Sequence, residues 1–127
     1  MIALALDVEV GADVELPKAR RRTDDIARRF FAPGENARLF ACLDRKAEFF
    51  RLWCCKEAFL KCTGEGLSRS TRSYEIELGP SDARLLWANG IPDAATRFSV
   101  FPLDPGDGYR AAIVAEATSP SLRVVRF

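Results

Sequence analysis

Between Phe49 and Cys62 the chain reads FFRLWCCKEAFLKC, and this segment constrains the fold more than any other. Only Arg51, Lys56, Glu57 and Lys61 carry charge there; every other position is Phe, Leu, Trp, Cys or Ala. A helix over residues 45–62 is therefore apolar nearly all round, has no polar face to turn to water, and must be enclosed. Charges on an enclosed helix need a partner, a metal or a task. Glu57 and Lys61 are four residues apart, so their side chains share one helix face. Gly64 and Gly66 then end the helix, either as a plain C-cap or as a turn that lets the backbone approach a ligand.

The segments around this helix predict an α+β domain. Residues 2–6 and 10–15 read as strands, with a tight turn near Asp7–Glu9 between them. Thr23 is a predicted N-cap, followed by Asp24 and Asp25 in the first turn and Arg28 and Arg29 in the last, an order that complements the helix dipole. Pro33-Gly34 breaks the chain, and a second short helix is expected over 35–43. Beyond Gly66 the pattern changes to period-two alternation. Strands are predicted at 73–78, 84–88, 97–102, 109–116 and 121–127, separated by the turn clusters GPSD, NGIPD and DPGDG. Helices first and antiparallel strands later imply helices packed on one face of a sheet. The 127 residues suit one domain with a real core, and neither repeats nor an interdomain linker interrupt them.

Composition narrows the function. A hydrophobic fraction of 48% and a charged fraction of 29% are those of a globular protein. A net charge of +1 argues against general binding to nucleic acid or a membrane surface. No apolar run approaches the roughly 20 residues that span a bilayer. The start carries no basic segment leading into an apolar one, so a secretory leader is not expected and a cytoplasmic setting is. The four cysteines, Cys42, Cys54, Cys55 and Cys62, suit neither a disulfide framework nor zinc spacing; they read as small buried hydrophobes in a reducing compartment. Histidine is absent, which removes Ser-His-Asp and Cys-His catalysis.

Oxygen chemistry remains. Asp13 and Glu15, one residue apart on a predicted strand, point to the same face. Two adjacent carboxylates repel unless a cation sits between them, and a hard ion such as magnesium suits the pair. Asp7-Val8-Glu9 competes as a second such pair. Glu57 is the third candidate carboxylate. Trp53, one turn before Glu57, is assigned to the core. The run Lys18-Ala19-Arg20-Arg21-Arg22 is either a solvated loop or a dock for an acidic partner helix.

Three blocks, VGADVE at 10–15, RRFFAPGE at 28–35 and WCCKEAFLKCTGEGL at 53–67, together resemble the signature blocks of the 4′-phosphopantetheinyl transferase superfamily. The resemblance is closest to the larger type that activates peptide and polyketide synthases. It extends to the closing run FSVFPLDPGDGYRAAIVAEA, 98–117, and so covers nearly the whole chain. It favours Asp13 and Glu15 over Asp7 and Glu9, because Gly11 precedes Asp13 as the family pattern requires. Ala12, where the family has a branched residue, is a departure that concerns packing.

The resemblance implies a magnesium ion held by Asp13, Glu15 and Glu57, with coenzyme A as co-substrate. It implies that a carrier-protein serine, helped by Glu57 or a metal-bound water, attacks the β-phosphate, so that phosphopantetheine is transferred and adenosine 3′,5′-bisphosphate leaves. Lys61 would stabilise phosphoryl charge, its alternative role being that of a helix C-terminal cation. Lys56, Gly64 and Gly66 would contact the cofactor. The chain corresponds to the second half of the larger type. It is expected either to need a missing N-terminal half or to self-assemble, as the small acyl carrier protein synthases do. A different class of reading is a catalytically silent half-domain that binds a carrier protein or a partner chain. A nucleic-acid binder is a weaker third, since no clustered aromatic–basic pattern accompanies the basic loop.

Overall fold

The computed structural model describes residues 1–18 and 22–126. Its centre is the enclosed helix α3 (Arg45–Thr63). The helix begins at Asp44, whose side chain accepts from the Ala47 amide at 3.2 Å, and ends at Gly64, which adopts φ 71° and donates its N–H to the Leu60 carbonyl. Only a left-handed residue closes a helix this way, and glycine does so without a Cβ penalty.

One side of α3 lies on a five-stranded antiparallel sheet of order β1-β5-β4-β3-β2. The strands are β1 (Val10–Glu15), β2 (Tyr74–Leu78), β3 (Ala83–Ala88), β4 (Ser99–Gly106) and β5 (Tyr109–Ala115). The other side meets α1 (Thr23–Phe30) and α2 (Pro33–Phe40), and a short α4 (Ala94–Arg97) connects β3 to β4. This is the expected α+β arrangement. The β4–β5 hairpin turns on Asp107 (φ 54°) and Gly108 (φ 80°), the two positive φ angles that a tight hairpin turn demands.

Aromatic side chains fasten the layers. Phe49 stacks on Phe31 (5.3 Å) and Trp53 (5.8 Å), tying α3 to the end of α1. Phe59 meets Tyr74 of β2 at 4.6 Å and Phe98 at 5.2 Å. Burying each such ring contributes roughly 1.5–3 kcal/mol.

The closest approach is between β1 and α3. A Cβ placed on Gly11 would lie 2.1 Å from the Ala58 carbonyl oxygen and 2.3 Å from the Cys62 nitrogen. Both are backbone atoms, so the strand can seat against the helix only with glycine at that position. Gly11, Asp13 and Glu15 alternate on one face of β1, and the seating brings Asp13 against α3.

Several sequence expectations need correction. Residues 2–6 form no strand, and Ile2, Leu4 and Leu6 are exposed; with residues 120–123 they line a groove over Phe101 and Ile113 on the sheet's other face. The Glu116 N–H, which donates to the Glu9 carbonyl, extends the β1–β5 ladder, and among the described residues no strand pairs with the other edge of β1. Residues 121–126 are not a strand either; β5 already has β1 and β4 on its two sides. Thr23 is the first helical residue, Arg22 takes the cap position, and no side chain caps the helix. The second helix starts at Pro33, whose ring suits a first turn, and ends at Phe40. Residues 19–21 of the basic run lie outside the described residues.

Two measurements test this packing. Gly11→Ala should lower unfolding free energy by about 3 kcal/mol, the upper end for overpacking, in a urea titration. Cys54, Cys55 and Cys62 are buried and Cys42 is half-buried, all as free thiols. A bulky thiol reagent should therefore label Cys42 alone in the native chain and all the cysteines in denaturant.

Candidate active site

Asp13 reaches the site from β1 and is nearly enclosed, at 8% exposure. Lys61, from the last turn of α3, donates from Nζ to Asp13 Oδ1 at 2.7 Å. The other carboxylate oxygen, Asp13 Oδ2, is buried with no hydrogen-bond partner. Cys54, alongside, gives its single proton to the Arg110 carbonyl at 3.3 Å. Burial, then the charge of Asp13, pushes the Cys54 thiol far up, so it stays a neutral thiol.

Glu57 stands one turn before Lys61 on the same face and is half-buried. Burial and then the neighbouring Asp13 raise its carboxyl above the ordinary range, while Lys61 opposes them and Glu15 adds to them. Lys61 is held protonated, chiefly by its bond to Asp13 and further by Glu57 and Glu15. Asp13, Glu15, Glu57 and Lys61 thus form one electrostatic cluster. Glu15 lies opposite Arg110 in the β1–β5 register.

The predicted three-carboxylate cage is not assembled. Among the described residues no group of His, Cys, Asp and Glu side chains is arranged to hold a metal ion. The Lys61 ammonium is the cation seated on Asp13. The donor set nevertheless fits a hard divalent ion: all its ligands would be carboxylate oxygens, and Asp13 Oδ2 is a buried acceptor without a donor.

Beside the cluster runs a groove of about 730 Å³. Phe30, Trp53, Leu60 and Leu67 form apolar walls, Glu57 and Lys61 stand at the cluster end, and Arg69, Ser70 and Thr71 complete the rim. Gly64 and Gly66 also line it; both have positive φ, and a Cβ on either would meet nothing within 4 Å. Their glycine requirement is conformational, not one of close approach within the chain. Trp53, assigned to the core, packs on Phe49 and also walls the groove.

The profile of the 4′-phosphopantetheinyl transferase superfamily matches residues 9–114. The chain belongs to this superfamily. It is 34% identical over 107 residues to the 4′-phosphopantetheinyl transferase HetI of a Nostoc species, a match covering 83% of this chain and 42% of that protein. It is 33% identical over 117 residues to a 4′-phosphopantetheinyl transferase of Bacillus subtilis, covering 90% and 50%. The chain spans about half the length of these relatives, or less. Its fold is similar to that of the holo-[acyl-carrier-protein] synthase of Thermotoga maritima, with TM-score 0.69 at 21% identity over 87% of this chain and 64% of that one. It is also similar to a synthase–CoA complex from Chronobacterium ammoniagenes, with TM-score 0.65 at 14% identity over 91% and 100%.

Asp7 and Glu9 separate from the cluster: both are exposed and line another depression with Glu116. Lys56 departs from expectation. At 1% exposure it is in the core, where Nζ donates to Glu35 Oε1 at 2.6 Å and to the Tyr74 carbonyl at 3.2 Å and lies 3.9 Å from the Tyr74 ring centroid. It cannot reach a ligand in the groove. Burial raises Glu35 to about 7 against the pull of Lys56, and burial lowers Lys56. Sequence reasoning demanded a partner for Lys56 but did not pair it with Glu35, although RRFFAPGE held the only acid of its block. The groove rim at Arg69–Thr71 was also missed, since a polar loop carries no periodic signal.

The Glu35–Lys56 pair should respond asymmetrically to mutation. Lys56→Met or Glu35→Leu alone strands a buried charge and should cost about 3–5 kcal/mol. The double variant should recover most of that loss in a double-mutant cycle by denaturant unfolding.

Proposed function

We propose that this chain provides the phosphoryl-transfer half of a 4′-phosphopantetheinyl transferase site, moving phosphopantetheine from coenzyme A to a serine of an apo carrier protein. The carrying observation is the Asp13–Glu57–Lys61 cluster at the end of an apolar groove. Family membership, together with the coenzyme A complex among proteins of similar fold, supports coenzyme A as the donor.

Glu57 is the group suited to take the serine proton. Its raised carboxyl is a stronger base than a solvated one and faces the groove. The serine oxygen bonds to the β-phosphorus as the bond from that phosphorus to the bridging oxygen breaks. Adenosine 3′,5′-bisphosphate leaves with that oxygen. Lys61, at the same rim, sets an ammonium against the charge that builds on the phosphoryl oxygens. Gly64 and Gly66 leave the rim without side chains there, giving the pantetheine arm room along Trp53 and Leu60. Asp13, Glu15 and Glu57 would hold magnesium, which supplies charge neutralisation for the pyrophosphate when bound.

Because the relatives are about twice as long, the reading includes a second half-site, supplied by an N-terminal half or by another copy of the chain. The cytoplasm, where four free thiols stay reduced, fits the cysteine pattern. No helix among the described residues is long and apolar enough to cross a membrane. The alternative reading of the sequence is a silent half-domain that binds a carrier or partner chain.

Incubation with coenzyme A, magnesium and an apo carrier protein should add the mass of one phosphopantetheine to the carrier, read by mass spectrometry. Glu57→Gln should cut the rate by about a hundredfold or more, the span of a lost general base. No mass gain at high concentration of the chain would leave the binding reading, and a wild-type rate in Glu57→Gln would remove Glu57 from the mechanism.

A further inference from the structure

The Asp13–Lys61 pair joins two groups of opposite mobility. Asp13 is fixed: it is buried, it sits mid-strand, and Gly11 beside it is locked against the backbone of α3. Lys61 is not: its side chain is 52% exposed, at the end of four methylenes in the last turn of the helix. A hydrated ammonium on a flexible stem is easily displaced, whereas an enclosed carboxylate is not. One oxygen of Asp13 receives Lys61 and the other receives nothing.

We infer that Lys61 is a resident counter-ion, which holds the buried Asp13 carboxylate in the absence of a divalent cation and is displaced to the groove rim when that ion binds. The inference rests on the metal-ligand reading of Asp13, Glu15 and Glu57. It accounts for a carboxylate cluster whose donors suit magnesium but in which the Lys61 ammonium is seated on its most buried acid. It also gives Lys61 two successive partners, first Asp13 and then the phosphoryl oxygens of a ligand in the groove. The cation and Lys61 then compete for Asp13, and any competition between two ligands is reciprocal. Removing the ammonium must strengthen cation binding, even though it removes a residue of the site.

The test uses the full 127-residue chain without coenzyme A. Magnesium binding is followed by calorimetry and manganese binding by the electron paramagnetic resonance of the free ion. Lys61→Gln should bind both ions at least about fivefold more tightly than wild type, the lower end of a site-to-site coupling. Lys61→Arg, which keeps the charge, should remain near wild type, and Asp13→Asn should lose binding in either background. Because loss of any nearby positive charge favours a cation, a second readout reports direct exchange. The ¹⁵N resonance of the Lys61 ammonium should move when wild-type chain is saturated with magnesium. Equal or weaker binding by Lys61→Gln, or an unmoved Lys61 resonance at saturation, overturns the exchange and leaves the metal site standing. Absence of saturable binding in both wild type and Lys61→Gln overturns the metal reading, and the exchange with it.

Discussion

The seat of β1 on α3 at Gly11 governs the rest of the molecule. Strand and helix meet there backbone to backbone, with no side chain between them, and a methyl group would collide with the Ala58 carbonyl and the Cys62 amide. Two residues on, the same strand face carries Asp13, whose Oδ1 accepts from Lys61 Nζ at 2.7 Å. Gly11 thus sets how closely the strand that carries Asp13 lies against the helix that carries Glu57 and Lys61.

Lys56, Glu57 and Lys61 of α3 divide into two kinds, although they lie within a turn and a half of one another. Lys56 and Glu35 are both enclosed. A buried pair of this kind roughly offsets its own desolvation, so the neighbouring rings of Phe31, Phe49 and Phe59 supply the greater stabilisation. What the pair adds is placement: Lys56 bonds the Tyr74 carbonyl, and the Tyr74 hydroxyl donates back to the Lys56 carbonyl at 3.0 Å. Glu57 and Lys61, by contrast, remain open to the groove, where a raised carboxyl and a mobile ammonium can do chemistry. Adjacent residues on one helix thus serve the core and the site because successive positions point about 100° apart.

What the sequence disclosed follows from which forces are local. The enclosure of α3, the Asp107-Gly108 hairpin and the same-face placement of Asp13 with Glu15 rest on periodicity and turn chemistry, and each was legible. The strand expected over 2–6 failed because an apolar run records only which residues are apolar, not whether a neighbouring edge accepts them. The strand over 121–127 failed over its described residues for the same reason. Lys56 was misplaced for a different reason. The rule that an enclosed charge needs a partner holds for it, but that partner, Glu35, is brought near only by the packing of α2 on α3. The seating at Gly11 likewise depends on a distance between elements that no one-dimensional pattern encodes.

The middle of the sheet is its weakest joint. β3 and β4 share one register pair, Ala83 with Val100, while the ladders on either side run for several residues. The β2–β3 ribbon is consequently moored by side chains, Tyr74 and Ile76 among them, and less by its backbone. Thr71 and its neighbours lead directly into that ribbon and form one bank of the groove, whereas Asp13 belongs to the firmly laddered β1–β5–β4 block. Breathing of the ribbon would widen the channel for ligands of differing bulk while the acidic cluster kept its spacing, so selectivity and reactivity could drift apart in evolution without either disabling the other.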